Sequence, residues 1–199
     1  MKKNRIDLTP ELVLQAYRIG YFPMADAASG DITWYSPDPR AILPLDKFRV
    51  PRSLRQRIRK NPFDIRVDTA FETVMRLCAS REETWISAEI IGVYTQLHRA
   101  GYAHSVEAWD GGRLVGGLYG VALGGAFFGE SMFSTMADAS KVALVSLVER
   151  LRTRGFVLLD TQFTTEHLGH FGVVEITRSE YLTELERALE REATFVDTS

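Results

Sequence analysis

The stretch "HSVEAWDGGRLVGGLYGVALGGAFFGESMF", residues 104–133, decides the fold. Runs rich in β-forming residues flank Asp110-Gly111-Gly112-Arg113, a strong hairpin turn, and Gly124-Gly125 makes a second turn into "AFFGESMF". Three antiparallel strands in a meander are expected, with Glu130 near the end of the third. The same stretch poses a chemical question. Glu130 is the only charge among residues 124–133, and a buried carboxylate is costly unless a cation or hydrogen-bond donors meet it. An ion pair with one of the chain's many arginines would be the plain answer. A cation-binding carboxylate inside an apolar pocket would be the functional one.

Helical and strand signals extend outward from this meander. "DASKVALVSLVERLRTRG" reads as a helix with Val142, Val145, Val148 and Leu151 on its apolar face and Gly155 as its stop. "FVLLD" is then a buried strand ending at Asp160. Strand ends often carry catalytic groups, though a cap or turn aspartate is an equal alternative. "SEYLTELERALERE" is an amphipathic terminal helix, capped by Ser179. Upstream, residues 70–80 and 88–100 show helical periodicity on either side of the "TWIS" loop with Trp85, and "NPFDIRVD" suggests a short strand.

"VPRSLRQRIRK" reads as a short helix with Leu54 and Ile58 on one face and Arg52, Arg55 and Arg59 on another. "DLTPELVLQAYRIG" is a helix with Thr9 as N-cap, Pro10 at its first position, Gly20 as its stop and Val13, Ala16 and Tyr17 buried. Residues 21–45 are expected to form an ordered loop anchored by aromatic residues. The fold class is α+β with a mixed sheet. A two-part division is expected, residues 1–65 with the basic helix and 66–199 after it, the boundary falling between 60 and 100.

Composition narrows the function classes. The 199 residues are 45% hydrophobic and 25% charged, as in an ordinary globular protein. A lone Cys78 can close no internal disulfide and fits a reducing compartment. The opening Met1-Lys2-Lys3 is not followed by an apolar segment, so no signal peptide is expected. The longest uncharged run, residues 114–129, carries six glycines and falls short of the roughly 20 apolar residues of a membrane helix. Net charge is −2, yet residues 47–66 hold eight basic side chains against one acid, a phosphate-binding pattern against an acidic background.

Several motifs fail. "GESMF" has Phe133 where a nucleophile elbow needs its second glycine. "HLGH" offers His167 and His170 without further ligands, so no metal is expected and both read as structural or surface residues. G-x-G-x-x-G after a strand is absent.

The blocks "LVLQAYRIGYFPM", "WYSPDPRAILPL", "RSLRQ", "TWIS", "YTQLHRAGYAHSVEAW", "LVGGLYGVALGGAFFGESMFS", "ASKVAL" and "LLDTQ" stand in the order found in leucyl/phenylalanyl-tRNA–protein transferases, which this chain resembles from about Leu8 to Leu182. The resemblance implies an acetyltransferase-like (GNAT-like) domain after a small N-terminal part. It also implies transfer of Leu or Phe, with Met as a further candidate, from aminoacyl-tRNA to the α-amino group of proteins beginning with Arg or Lys, marking them for N-degron degradation. A cytoplasmic monomer without cofactor or membrane association is expected.

The resemblance also assigns residues. Glu130 and Ser131 would bind the acceptor N-terminus, and Leu118, Phe127, Leu144, Leu147 and Leu159 would hold the Leu or Phe side chain. Asp160 and Gln162 match the family's "D-x-Q" pair, taken as base and relay, although an ordinary carboxylate is a weak base and Asp160 could instead position Gln162. Arg52, Arg55 and Arg59 are candidates for tRNA phosphates, and Trp34 or Trp85 for stacking on the terminal adenosine. Met24 stands where some members have an aromatic residue.

Two rivals from other classes are an acyl-CoA-dependent acetyltransferase and a non-catalytic RNA-binding module. The first lacks its R/Q-x-x-G-x-G/A loop, since "ESMFSTMA" occupies that place. The second leaves Glu130 and Asp160 without a purpose.

Overall fold

The computed structural model describes residues 7–60, 62–81 and 84–196. Met1-Lys2-Lys3, and Asn61 at the head of the expected strand, lie outside them. The meander is present: β5 (Ala103–Asp110), β6 (Arg113–Leu123) and β7 (Ala126–Ser134) pair antiparallel in sequence. Gly111 and Gly112, at φ of 53° and 82°, form the two-residue turn between β5 and β6. That double positive φ is what a hairpin of this length requires.

After the meander, α5 (Ala139–Thr153) crosses over and β8 (Leu158–Gln162) pairs parallel to β7. Among the described residues the main sheet has seven strands in the order β4-β5-β6-β7-β8-β3-β9, with β3 (Arg40–Ile42), β4 (Asp64–Val67) and β9 (Val174–Ile176) completing it. The α+β mixed-sheet class is therefore as expected.

Residues 21–45 are more regular than the loop expected of them. β1 (Phe22–Ala25) and β2 (Ile32–Tyr35) form a separate hairpin, and β3 lies inside the main sheet between β8 and β9. Strands of three or four residues with prolines around them show no period long enough to read. The remaining helices are α1 (Pro10–Arg18), α2 (Arg52–Ile58), α3 (Phe71–Cys78), α4 (Ala88–Arg99), α6 (Glu166–Gly169) and α7 (Arg178–Leu189). Thr9 caps α1 by accepting from the Leu12 amide at 3.2 Å. The cap of α7 is Thr177, in a reciprocal capping box with Glu180; Ser179 sits inside the helix. Glu180 at the third position outcompetes Ser179 because it returns a hydrogen bond to the Thr177 amide at 2.8 Å.

Strand alternation sends side chains to two apolar clusters, one on each face of the sheet. Tyr119, Val121 and Phe128 pack with α1, α3, α4 and α7. Leu118, Phe127 and Leu159 pack under α5 and α2. Each large side chain buried this way contributes about 1.5–3 kcal/mol.

The pairing of β6 with β7 is interrupted once. Gly120 faces Gly129 and Tyr119 faces Ser131, so Glu130 is the extra residue of a bulge. A β-carbon on Gly120 would collide with the Phe128 carbonyl oxygen and come within 2.5 Å of the Phe127 ring. Gly120→Ala is therefore expected to destabilise the protein by roughly 1–3 kcal/mol or more. Gly92, in α4 with open space around it, is the opposite case: Gly92→Ala should stabilise by about 0.5–1 kcal/mol. Urea unfolding of the two variants checks both signs.

Candidate active site

β7 and β8 are paired only through Phe128 and Asp160. Beyond that point the parallel strands part, and a cavity of about 290 Å³ opens between them. Both strands are bulged at its edge, β7 at Glu130 and β8 at Thr161, where Ala41 and Ile42 of β3 face Gln162 and Asp160. The bulges turn Glu130 and Gln162 toward one another: Gln162 Nε2 donates to Glu130 Oε1 at 3.3 Å. The cavity wall is apolar, formed by Leu118, Leu144, Leu147 and Leu159, with Ser131, Trp85 and Phe163 also on it.

Glu130 is met by hydrogen-bond donors. Tyr17 donates to its Oε1 at 2.6 Å, and the Tyr94 hydroxyl lies 2.6 Å behind that of Tyr17. Because Tyr17 spends its proton on Glu130, Tyr94 is the donor to Tyr17. Burial holds both phenols well above their ordinary pKa, so they remain protonated donors. Both hydrogen bonds of Glu130 among the described residues fall on Oε1, and no ion pair among them reaches it. Arg40 is the cation close enough to matter electrostatically, and it is committed to Asp160. The arginine partner of the plain explanation is therefore missing. Burial pushes the Glu130 carboxyl up to about 8, with the Tyr17 hydrogen bond and Arg40 opposing and Asp160 adding to the rise.

Asp160 is held in the opposite way. Fully buried, its Oδ1 accepts from Arg40 Nε at 3.0 Å and the Gln162 amide at 2.9 Å; its Oδ2 accepts from Arg40 Nη2 at 2.6 Å and the Tyr181 hydroxyl at 2.7 Å. Arg40 also donates to the Gly20 carbonyl at 3.1 Å and lies over the rings of Phe22 and Tyr181. With these four donors in place no acceptor position on Asp160 is left for a proton from substrate. What Asp160 does hold is the Gln162 backbone, which sits at φ of 58°, a conformation that needs outside support in a non-glycine residue.

The sequence candidates divide accordingly. Glu130, Ser131, Gln162, Leu118, Leu144, Leu147, Leu159 and Trp85 share the cavity, and Met24 lines it too. Asp160 lies beneath it. Phe127 does not line it but is fully buried in the cluster behind the leucines, stacked on Phe195 at 5.2 Å. Trp34 is half-buried on β2 against the other cluster, away from the cavity lining. Arg52 and Arg55 on α2 and Arg59 at its C-cap are exposed, while Leu54 is buried. His167, exposed, stands at the cavity rim. Sequence reasoning missed Arg40, Tyr94 and Tyr181, and it took Tyr17 for a plain core residue. A buried tyrosine ordinarily has a hydrogen-bond partner, the one signal available for these phenols.

Residues 42–186 match the family model described as "Leucyl/phenylalanyl-tRNA protein transferase", and residues 6–38 match the model of that family's N-terminal domain. Curated proteins named leucyl/phenylalanyl-tRNA–protein transferase are similar over nearly the whole chain. That of Gloeobacter violaceus is 60% identical over 92% of this chain and 95% of its own. That of Herpetosiphon aurantiacus is 58% identical over 94% and 98% respectively, and that of Salinibacter ruber 56% identical over 92% and 81%.

The raised carboxyl has a measurable consequence for stability. A carboxyl whose folded pKa lies above its unfolded value stabilises the fold fully below the unfolded value, 4.5 here, and loses that contribution as pH rises through about 8. Glu130→Gln should therefore be more stable relative to wild type at pH 9 than at pH 6 in paired urea titrations.

Proposed function

The chain belongs to the leucyl/phenylalanyl-tRNA protein transferase family, and from that premise we propose how its cavity works. The protein is an aminoacyltransferase that carries Leu or Phe from aminoacyl-tRNA to the α-amino group of an acceptor protein. The acceptors begin with Arg or Lys, and the modification marks them for N-degron degradation. A monomer acting in the cytoplasm, where charged tRNA is available, suffices for this. No described helix is long and apolar enough to cross a membrane.

One observation carries the acceptor specificity: Glu130 is a desolvated carboxyl with two hydrogen-bond donors on one oxygen and no paired cation among the described residues, so that a cation from outside favours its ionised form. A guanidinium or ammonium from outside supplies that cation, and burial strengthens the pair. Leu118, Leu144, Leu147 and Leu159 form the wall against which the donor's Leu or Phe side chain packs. Contacts of this kind discriminate weakly between apolar groups, by about 1–3 kcal/mol per methylene, which suits acceptance of both. Trp85 and Met24, on the same wall, take the terminal adenosine.

The reaction is aminolysis of an ester. The neutral amine attacks the carbonyl carbon, the new C–N bond forms, and the bond to the ribose oxygen breaks. The proton lost by the nitrogen ends on that ribose oxygen. An α-amine with a pKa of about 8 is already partly neutral near pH 7, so orientation is the larger requirement. Gln162 supplies it, its amide nitrogen bonded to Glu130 and its amide oxygen free to accept from the attacking amine. Asp160 is then a positioning residue that fixes Gln162, not the base. The exposed Arg52, Arg55 and Arg59 of α2 meet the tRNA body through its phosphates.

Transfer of labelled leucine from Leu-tRNA to peptides beginning with Arg, Asp or Ala tests the acceptor assignment. Label is expected on the Arg peptide alone, and Glu130→Gln should lower its kcat/KM by about a hundredfold or more; label on the Asp peptide would overturn the role of Glu130. The acceptor mimic N-acetylargininamide, which has no titrating amine, should bind more tightly as pH rises through about 8. That trend should be flat in Glu130→Gln. Asp160→Asn should lower kcat with little change in donor KM, and the pH–rate profile should keep the limb set by the acceptor amine. Complete loss of transfer in an Asp160→Asn protein that still folds and still binds the acceptor mimic would make Asp160 the base after all.

A further inference from the structure

A second cavity adjoins the first. It measures about 650 Å³ and shares Arg81, Met132, Leu144, His167 and Leu168 with it. Its remaining wall comes largely from the turn between β7 and α5, residues 134–138, and from Ser140 and Lys141 in the first turn of α5. Lys141 belongs to the "ASK" block, for which the transfer reaction as described has no use.

The two cavities differ in charge. Both are lined by Arg81 and His167, but where the first holds Glu130 the second adds Lys141. Its single carboxylate, Asp138, is engaged by Lys141 Nζ at 3.2 Å. Arg81 reaches across to the Met132 carbonyl, which puts a guanidinium at the junction of the two spaces. The Ser134 and Ser140 side chains add hydroxyls, and Ser134 Oγ already accepts from the Ser140 amide at 3.2 Å.

A donor seated with its aminoacyl side chain against the four leucines has its terminal nucleoside at the mouth of the first cavity. The phosphodiester leading to the preceding nucleotide must leave from there. It carries a full negative charge, which the Arg81–Lys141 side attracts. We propose that the second cavity receives the phosphodiester linking the last two nucleotides of the donor, with Lys141 and Arg81 as its cationic contacts. This assignment rests on aminoacyl-tRNA being the donor. The acceptor polypeptide is the less suited occupant, because its residues beyond the first have no fixed charge for a cationic wall to recognise.

Two non-hydrolysable donors separate the possibilities, leucine amide-linked to 3′-aminoadenosine, which has no phosphate, and the same group on the trinucleotide CCA. Both are used as competitive inhibitors of transfer from Leu-tRNA to the Arg peptide. Lys141, which lines the second cavity alone, is the side chain to change. Lys141→Ala should weaken the CCA inhibitor about tenfold, the scale of one charge-assisted hydrogen bond, and leave the adenosine inhibitor unchanged. Lys141→Glu should weaken it further, and Lys141→Arg should restore it. The affinity of wild type for the CCA inhibitor should also fall with salt more steeply than that of Lys141→Ala.

Equal weakening of both inhibitors, or of neither, would overturn the proposal. A raised KM for the acceptor peptide with unchanged CCA affinity would also overturn it and give the cavity to the acceptor chain. If neither inhibitor competes in wild type, the donor assignment itself falls, a result distinct from any effect of Lys141.

Discussion

The ion pair between Arg40 and Asp160 is the constraint on which the site depends. Two charges taken wholly out of water cost several kcal/mol each, and the cost is offset only where geometry is good and the remaining hydrogen-bond positions are filled. Here they are filled from widely separated parts of the chain: Gly20 after α1, Arg40 on β3, Gln162 on β8 and Tyr181 on α7. Removing any of these partners would leave a buried charge short of hydrogen bonds. The pair thereby holds β3 against β8 and fixes the left-handed backbone of Gln162.

Given a fixed Gln162, the second requirement is that β7 and β8 diverge at the right residue. The bulge at Glu130 and the missing side chain at Gly120 make this possible, because the close approach of Phe127 and Phe128 to Gly120 leaves no room for a β-carbon. The strands then part with one carboxylate and one carboxamide facing each other over an apolar floor. Two carboxylates in neighbouring strands thus have opposite tasks. Asp160 is saturated with donors and structural in effect, while Glu130 is left with spare acceptor capacity and no countercharge.

Much of this was legible in the sequence wherever the signal was local. The meander followed from Asp110-Gly111-Gly112-Arg113 and Gly124-Gly125, and α1 from Thr9 and Pro10, because turns and caps are decided within a few residues. Glu130 stood out because a lone charge in an apolar run has to be explained. What could not be read was pairing at a distance. Nothing near Arg40 announces a carboxylate 120 positions later, nor does Tyr17 announce Glu130 at a separation of 113. The strands β1 to β3 were missed for the same reason, being too short for a period and defined by their partners. Asp160 was singled out as a candidate, but its saturation by four donors became visible only with the fold assembled.

The span of the Arg40 network also bears on how the protein comes off the ribosome. Synthesis runs from the N-terminus, so β3 and its buried arginine emerge long before Asp160, and Tyr181 comes later still. Until α7 is free of the exit tunnel, Arg40 and Asp160 lack the Tyr181 hydroxyl that completes their shell. The nascent chain can thus complete the meander and its first helices without possessing a working site. Competence therefore waits on the emergence of α7 and its Tyr181 hydroxyl.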